Sequence, residues 1–248
     1  MDTYGIIGFP LGHSFSRGFF TEKFRREGIE AQYLNFPIEH ADELRQVLQE
    51  HPTLRGLNVT LPHKQAVIEM LDDIDEKAQR IGAVNVIRVR WHDGKPRLKG
   101  FNSDVIGFTR SIRPLLRPYH RKALVLGTGG ASRAIRAGLE SLGVEWKYVS
   151  RTPCEGRFTY DELSPEVLHE YPVVVNCSPV GMFPHVDESP ALPYDALSEE
   201  NLLFDLVYNP EETQFMRRGA EHGATVKNGF EMLHIQAVAS WEFWNSEG

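Results

Sequence analysis

The chain has 248 residues, 41% of them hydrophobic and 25% charged, which fits an ordinary globular protein of one large domain or two small ones. A net charge of −7 gives no electrostatic support for nucleic-acid binding, so an anionic ligand would have to be held by local donors. The two cysteines make no disulfide framework and the ten histidines show no metal-ligand pairing. The first ten residues lack a signal peptide's basic start, and no apolar run spans a bilayer. A cytoplasmic chain without metal or membrane contact is therefore expected.

In chain order, residues 3–8 predict a strand, and 17–28 a helix with Phe19, Phe20 and Phe24 at helical spacing and a terminal glycine. Strands follow at 31–36 and 54–60, separated by a helix over 42–50 with Leu44, Val47 and Leu48 on one face. Pro62 suits the first turn of a helix running towards Leu71. Residues 84–90 and 97–101 predict a hairpin joined through Asp93-Gly94. Beyond residue 120 the pattern alternates strand and helix: strands at 122–126, 145–149, 173–176 and 202–207, with a helix from the glycine cluster to about Leu142. Such alternation predicts a parallel sheet covered on both faces. The last helix, 230–244, carries Phe230, Leu233, Ala237, Trp241 and Trp244 on one stripe. It has no sheet of its own, so it is expected to return to the first domain.

The run Gly127-Thr128-Gly129-Gly130-Ala131-Ser132 stands between a strand and a helix. There Gly127 allows the tight turn, and Gly129 and Gly130 let the backbone approach a pyrophosphate. The free N–H groups and dipole at the start of the helix, at Ala131, then attract that anion. Glycines also serve as plain turns; the position between strand and helix favours a dinucleotide site. The next strand ends at Ser150-Arg151-Thr152, where an NAD site usually places an acid for the ribose 2′-hydroxyl. Arginine there accommodates a 2′-phosphate, so NADP is favoured over NAD, with Ser150 and Thr152 as flanking hydroxyls; a lone solvated Arg151 is the bland alternative.

Further motifs surround this loop. They are Gly8-Phe9-Pro10 with Ser14 and Ser16; Asn58-Val59-Thr60-Leu61-Pro62-His63-Lys64; Gly82-Ala83-Val84-Asn85; and Gly100-Phe101-Asn102-Ser103-Asp104. After the glycine loop come Asn176-Cys177-Ser178-Pro179-Val180-Gly181-Met182, Asp205-Leu206-Val207-Tyr208-Asn209-Pro210 with Thr213, and Asn228-Gly229 with Met232, Leu233 and Gln236. In this order the set resembles the shikimate dehydrogenase family over nearly the whole chain. The resemblance implies an α/β substrate domain (residues 1–103 and 228–248) and a Rossmann-like, doubly wound NADP domain (104–227), with an open cleft between them. It implies that Ser14 and Ser16 hold a carboxylate and that Thr60, Asn85, Tyr208 and Gln236 contact substrate. It further implies that Lys64 and Asp104 act at the reacting hydroxyl and that Ser178, Val207 and Gly229 join the glycine loop in holding the cofactor. The implied activity is NADP-dependent reduction of 3-dehydroshikimate to shikimate, on the route to chorismate and the aromatic amino acids. The partners are small molecules only, with the chain a monomer or homodimer.

The chemistry gives this set a physical sense. As hydride reaches a ring carbonyl carbon, negative charge grows on its oxygen; an ammonium stabilises it and supplies the proton, while a carboxylate fixes the lysine. Two serine hydroxyls hold a carboxylate without adding charge to the protein. Taken singly, Lys64 reads as a solvated charge, Ser14, Ser16 and Asp104 as caps, Tyr208 as core, and Gln236 as the polar edge of a helix. Joint occurrence overturns those readings.

The chain departs from the family at Arg17 (usually proline), Ser103 (threonine) and Val105 (glycine). After Arg151, Pro153 and Gly156 make the usual helix unfavourable, and Glu155 opposes a 2′-phosphate. A trimmed nucleotide domain follows, with Arg157 a candidate replacement charge. Alternatives are a quinate/shikimate dehydrogenase using NAD or NADP, and a sensor that has lost turnover. A methylene-tetrahydrofolate enzyme on a similar two-domain plan is disfavoured, because this chain has no N-terminal Tyr-x-x-x-Lys pair: Tyr4 and Tyr33 are followed at that spacing by Gly8 and Pro37.

Overall fold

A computed structural model describes residues 1–12 and 15–246; His13 and Ser14 lie outside the described residues. The chain forms two compact units, Met1–Ser103 with Gln236–Gly248, and Asp104–Ile235. Residues 228–235, which the sequence pattern assigns to the first domain, group with the second unit.

The first unit is built on β1 (Asp2–Gly8), α1 (Phe15–Glu27), β2 (Ala31–Pro37), α2 (Leu44–Glu50), β3 (Leu54–Val59), β4 (Asp73–Ile74), α3 (Glu76–Ile81), β5 (Val86–His92) and β6 (Lys95–Phe101). Its six strands run in the order β2-β1-β3-β5-β6-β4. β1 pairs in parallel with β2 and β3, while β3–β5 and β5–β6 are antiparallel. Alternation along β1 divides the core: Ile7 joins Leu44, Val47, Leu57, Val67 and Ile87 in one cluster, while Tyr4 and Ile6 join Phe20, Phe24, Tyr33 and Trp244 in another. In the second, the Phe20 ring lies 5.0 Å from both Tyr33 and Trp244, and the Trp244 indole N–H donates to the Ile87 carbonyl at 3.1 Å. Gly56 on β3 makes room for that indole; a Cβ there would collide with the ring.

The hairpin forms with its first arm shifted and its second arm extended towards the turn, which runs through Asp93 (φ 49°) and Gly94 (φ 74°), the left-handed pair of a two-residue turn. The helix expected from Pro62 does not form. Residues 61–65 are turns, and only Ala66–Met70 winds, as a 3₁₀ segment. The Lys64 carbonyl accepts from the Val84 N–H at 2.7 Å, which withdraws it from the helical ladder, and the Ile68 N–H turns to Gln65 instead.

The second unit contains α4 (Asp104–Ile112), β7 (Lys122–Leu126), α5 (Gly130–Ser141), β8 (Glu145–Ser150), β9 (Phe158–Thr159), α6 (Pro165–Glu170), β10 (Val173–Asn176), β11 (Leu202–Asp205), α7 (Gln214–Glu221), β12 (Thr225–Lys227) and the start of α8 (Phe230–Asn245). The sheet is parallel throughout, in the order β12-β11-β10-β7-β8-β9. Val173, Val174 and Val175 are all fully buried, as befits a strand covered on both faces. After Ser150 the chain turns through Gly156 (φ 76°) into β9 without a helix.

Helix α8 departs from the single stripe in the sequence. Phe230 is 51% exposed, whereas Met232, Gln236, Ala239 and Ser240 are buried. The helix serves two cores: Met232 packs with Phe108 and Phe204 in the second unit, and Ala237 and Trp244 with Phe20 in the first. No helix among the described residues is long and apolar enough to cross a membrane.

Two glycine substitutions test this packing by chemical denaturation. Gly56→Ala forces a methyl against a rigid indole and should cost about 1–3 kcal/mol. Gly18→Ala, in the exposed interior of α1 with nothing near its Cβ, should stabilise the protein by about 0.5–1 kcal/mol.

Candidate active site

One margin of the first sheet gathers the ends of four strands, β1, β3, β5 and β6. The Thr60 N–H donates to the Ile7 carbonyl at 3.0 Å, the Val59 N–H to Asn85 at 2.8 Å, and the Asn85 N–H to Phe101 at 3.1 Å. Thr60, Asn85 and Ser103 are thereby held at one end of the sheet. Gly8 permits this, because a Cβ would run into the Thr60 side chain. Lys64, half-buried, follows on the loop after β3. Its main chain is pinned by Val84, and its neighbour His63 is buried with Nε2 2.7 Å from the Ile38 carbonyl oxygen.

Behind this edge runs a buried polar chain. The Tyr33 hydroxyl donates to Asn58 Oδ1 at 2.7 Å, and Ser16 therefore donates to the Tyr33 oxygen. Burial raises the Tyr33 phenol well above its ordinary value, and the Ser16 hydrogen bond opposes the rise. Asn58 Nδ2 donates to Ser240 Oγ at 3.0 Å, and Ser240 donates to the Gln236 carbonyl at 2.8 Å. Ser103 Oγ lies 3.2 Å from both Ser240 Oγ and Gln236 Oε1, and Asn85 Nδ2 donates to it at 3.0 Å. Ser16, Asn85 and Gln236 are thus joined through Tyr33, Asn58, Ser240 and Ser103, residues to which the sequence motifs give no binding role. Ser240 carries a readable signal: it lies four residues after Gln236 and four before Trp244, a polar position on a buried helix face.

In the second unit the parallel register aligns Leu126, Val149, Asn176 and Asp205 at neighbouring strand ends. The chain leaves β7 for β8 on one side, and β10 lies on the other, the arrangement that opens a ligand crevice at the carboxyl ends of the strands. Gly127 takes φ 97°, left-handed, directly after β7. Gly129 is the N-cap of α5, with no side chain capping the helix and open space where a Cβ would stand. Gly130 is buried and Ala131 half-buried in the first turn. An uncapped twelve-residue helix behind an open glycine fits the pyrophosphate of a dinucleotide.

The adjoining loops are tied to one carboxylate. Asp205, fully buried, accepts from Asn176 Nδ2 at 3.0 Å, the Val207 N–H at 3.0 Å and the Thr213 hydroxyl at 2.7 Å. Asn176 in turn accepts from Ser178 through both its N–H (3.0 Å) and its hydroxyl (2.6 Å). Ser178 and Val207 are therefore placed by the Asn176–Asp205 pair. Burial pushes the Asp205 carboxyl up to about 6, against the lowering effect of its three hydrogen bonds. The Gly229 N–H donates to the Val207 carbonyl at 3.1 Å, and a Cβ at Gly229 would strike the Leu206 carbonyl.

The remaining predicted residues fall as follows. Ser150 donates to the Thr152 carbonyl at 2.6 Å, so its hydroxyl closes the turn. Arg151 and Thr152 are exposed, and Arg151 favours ionisation of the nearby Tyr160. The Arg157 guanidinium stands 5.6 Å from the Tyr148 ring. Tyr208 is 37% exposed, with its hydroxyl raised by partial burial. Asp104 opens α4 and is buried.

The family model of the shikimate dehydrogenase substrate binding domain matches residues 6–87. A shikimate dehydrogenase (NADP(+)) from Desulforamulus reducens is 34% identical over 97% of this chain and 88% of its own length. Shikimate dehydrogenase from Aquifex aeolicus superposes with a TM-score of 0.85 at 31% identity, covering 98% of this chain and 92% of that one. The structure of shikimate 5-dehydrogenase from Thermus thermophilus in complex with NADP(H) and shikimate gives 0.84 at 32% identity, covering 99% and 94%.

The Asp205 carboxyl yields a pH signature. In the unfolded chain it ionises near 4, so between about pH 4 and 6 the folded protein holds the extra proton and loses stability as pH rises. Relative to Asp205→Asn, which does not titrate there, the wild-type unfolding free energy should fall by roughly 2–3 kcal/mol between pH 4 and 7.5. Parallel denaturation curves across that range would expose a flat difference, the result that contradicts this.

Proposed function

This chain belongs to the shikimate dehydrogenase family, and on that premise we propose that it interconverts shikimate and 3-dehydroshikimate, with NADP as the hydride carrier. The observation that carries the reading is the joint presence of two built edges: a glycine loop at the uncapped start of α5, and a polar strand-end cluster bearing Thr60, Lys64 and Asn85. When bound, the nicotinamide gives or takes the hydride.

The protein's own residues handle charge and position. Lys64 stabilises the charge that develops on the carbonyl oxygen during reduction and delivers its proton; in oxidation it takes the proton back. Its pinned main chain restricts where the ammonium can reach. Asp104 keeps Lys64 charged and accepts from a ring hydroxyl. Ser14 and Ser16 donate to the substrate carboxylate without the cost of adding cations to an acidic protein, and Ser16 redirects its proton from Tyr33 to do so. Thr60, Asn85, Tyr208 and Gln236 define the ring position. On the cofactor side Gly127, Gly129, Gly130 and Ala131 bring main chain to the pyrophosphate. Ser178, Val207 and Gly229 border the nicotinamide half, and Ser150, Arg151 and Thr152 the 2′-phosphate. In this reading residues 1–103 and 228–248 form the substrate domain, and 104–227 the NADP domain. A cytoplasmic monomer or homodimer completes the proposal, in keeping with the free thiols of Cys154 and Cys177.

Absorbance of reduced nicotinamide, followed with shikimate and NADP, tests the assignment. Lys64→Ala should fold and bind NADP normally but lose turnover by on the order of 10²-fold or more; near-normal turnover would remove the lysine from the chemistry. In the same assay NADP should be preferred to NAD, and Arg151→Ala should narrow that preference by weakening NADP alone. A wild-type preference for NAD would refute the role given to Arg151.

A further inference from the structure

We propose that Tyr160 is a further cofactor-binding residue, whose hydroxyl donates to the adenosine 2′-phosphate of NADP beside Arg151. The proposal rests on the functional reading above, in which NADP is the hydride carrier and Arg151 meets the 2′-phosphate.

The placement follows from the direct passage of β8 into β9. These strands pair in parallel, with Ser150 opposite Thr159 on the last rung. Arg151 and Tyr160 are the residues that follow, so the lack of a helix between the strands brings a tyrosine alongside the arginine. The register also aligns Val149 of β8 and Asn176 of β10 with Leu126 of β7, the strand that lies between them and leads into the glycine loop. Arg151 and Cys177 therefore stand just beyond the carboxyl ends of the strands on either side of that loop. The Tyr160 phenol is within electrostatic reach of both: burial raises it, the Arg151 guanidinium opposes the rise, and Cys177 adds to it. Its hydroxyl thus lies at the end of the sheet where the crevice opens.

The chemistry of the group suits an anion. The Tyr160 ring is half-buried against the cluster containing Leu126, Val149 and Leu163, which restricts its movement. Its hydroxyl has no hydrogen-bond partner among the described residues, and Arg151 has no carboxylate partner among them in a chain of net charge −7. Glu162, the acid two residues on, is turned back onto the Thr159 N–H at 2.6 Å and the Thr159 hydroxyl at 2.9 Å. Ser150, at the end of β8, spends its proton on the Thr152 carbonyl. That leaves a guanidinium and a neutral O–H donor at neighbouring positions, a pair matched to the several acceptor oxygens of one phosphate. A ribose 2′-hydroxyl carries no charge to strengthen the same contact, so the tyrosine contributes to the choice of NADP over NAD.

Calorimetric titration of the full chain with NADP and, separately, with NAD tests this. Tyr160→Phe keeps the ring and removes only the hydroxyl. It should weaken NADP binding by about tenfold, the size expected for one hydrogen bond to a charged group, while the NAD dissociation constant stays within about twofold. Because the hydroxyl has no partner among the described residues, the cofactor-free variant should denature at the wild-type midpoint. Unchanged NADP affinity, an equal loss for both dinucleotides, or a lowered midpoint overturns the proposal, and the role of Arg151 stands as long as the wild-type chain prefers NADP. A wild-type chain that binds NAD more tightly than NADP, or binds neither, overturns the functional reading and this proposal together.

Discussion

A polar side chain carried into the interior at the end of a strand must find its hydrogen-bond partners there, because burying it unpaired costs about 1–3 kcal/mol. Both units are organised by this requirement. In the first, Asn58 at the end of β3 and Asn85 just before β5 are satisfied by Tyr33, Ser240 and Ser103. In the second, Asn176 and Asp205 end adjacent strands and satisfy each other together with the loops that follow. Those loops bear the groups proposed to meet the ligands, so the residues that complete the interior also fix the site.

An acidic protein that binds an anionic acid needs local hydrogen-bond donors, and these need not be cations. Hydroxyls, amides, main-chain N–H groups and a helix start provide them on both edges. In the proposed reaction a lysine serves the reacting oxygen, where charge changes, and its main chain is held by its neighbours instead of by a regular helix. Such fixed polar groups need little reorganisation when the transition state forms, which is the physical basis of electrostatic catalysis.

The strands, the glycine loop, the hairpin turn and the family were legible in the sequence because each rests on short-range signals: alternation, a Gly-rich turn, an Asp-Gly pair. The helix placed at Pro62 failed because a long-range partner, the Val84 N–H, competes for the Lys64 carbonyl, and no local pattern announces that. Phe230 lies off the buried faces because α8 serves two cores, which a single helical stripe does not reveal. The short α3 has well-marked ends, with Asp75 capping two N–H groups and Gly82 closing it at φ 70°, but its six residues are too few for a helical period to stand out. Most of the proposed contact residues lay within recognisable motifs. Tyr33 and Ser240 did not, for their role depends on pairings 25 and 182 residues apart that bring three elements together.

The abrupt passage from β8 to β9 has a consequence beyond the ligand. With no helix in between, the second sheet ends on a strand of two residues, Phe158–Thr159, and its opposite margin, Thr225–Lys227, has three. A foreign strand needs a row of unpaired main-chain groups to dock on, and margins this short supply only one or two rungs. The trimmed side of this unit therefore doubles as protection against edge-to-edge aggregation, and a variant that lengthened β9 to rebuild the missing segment would surrender that protection.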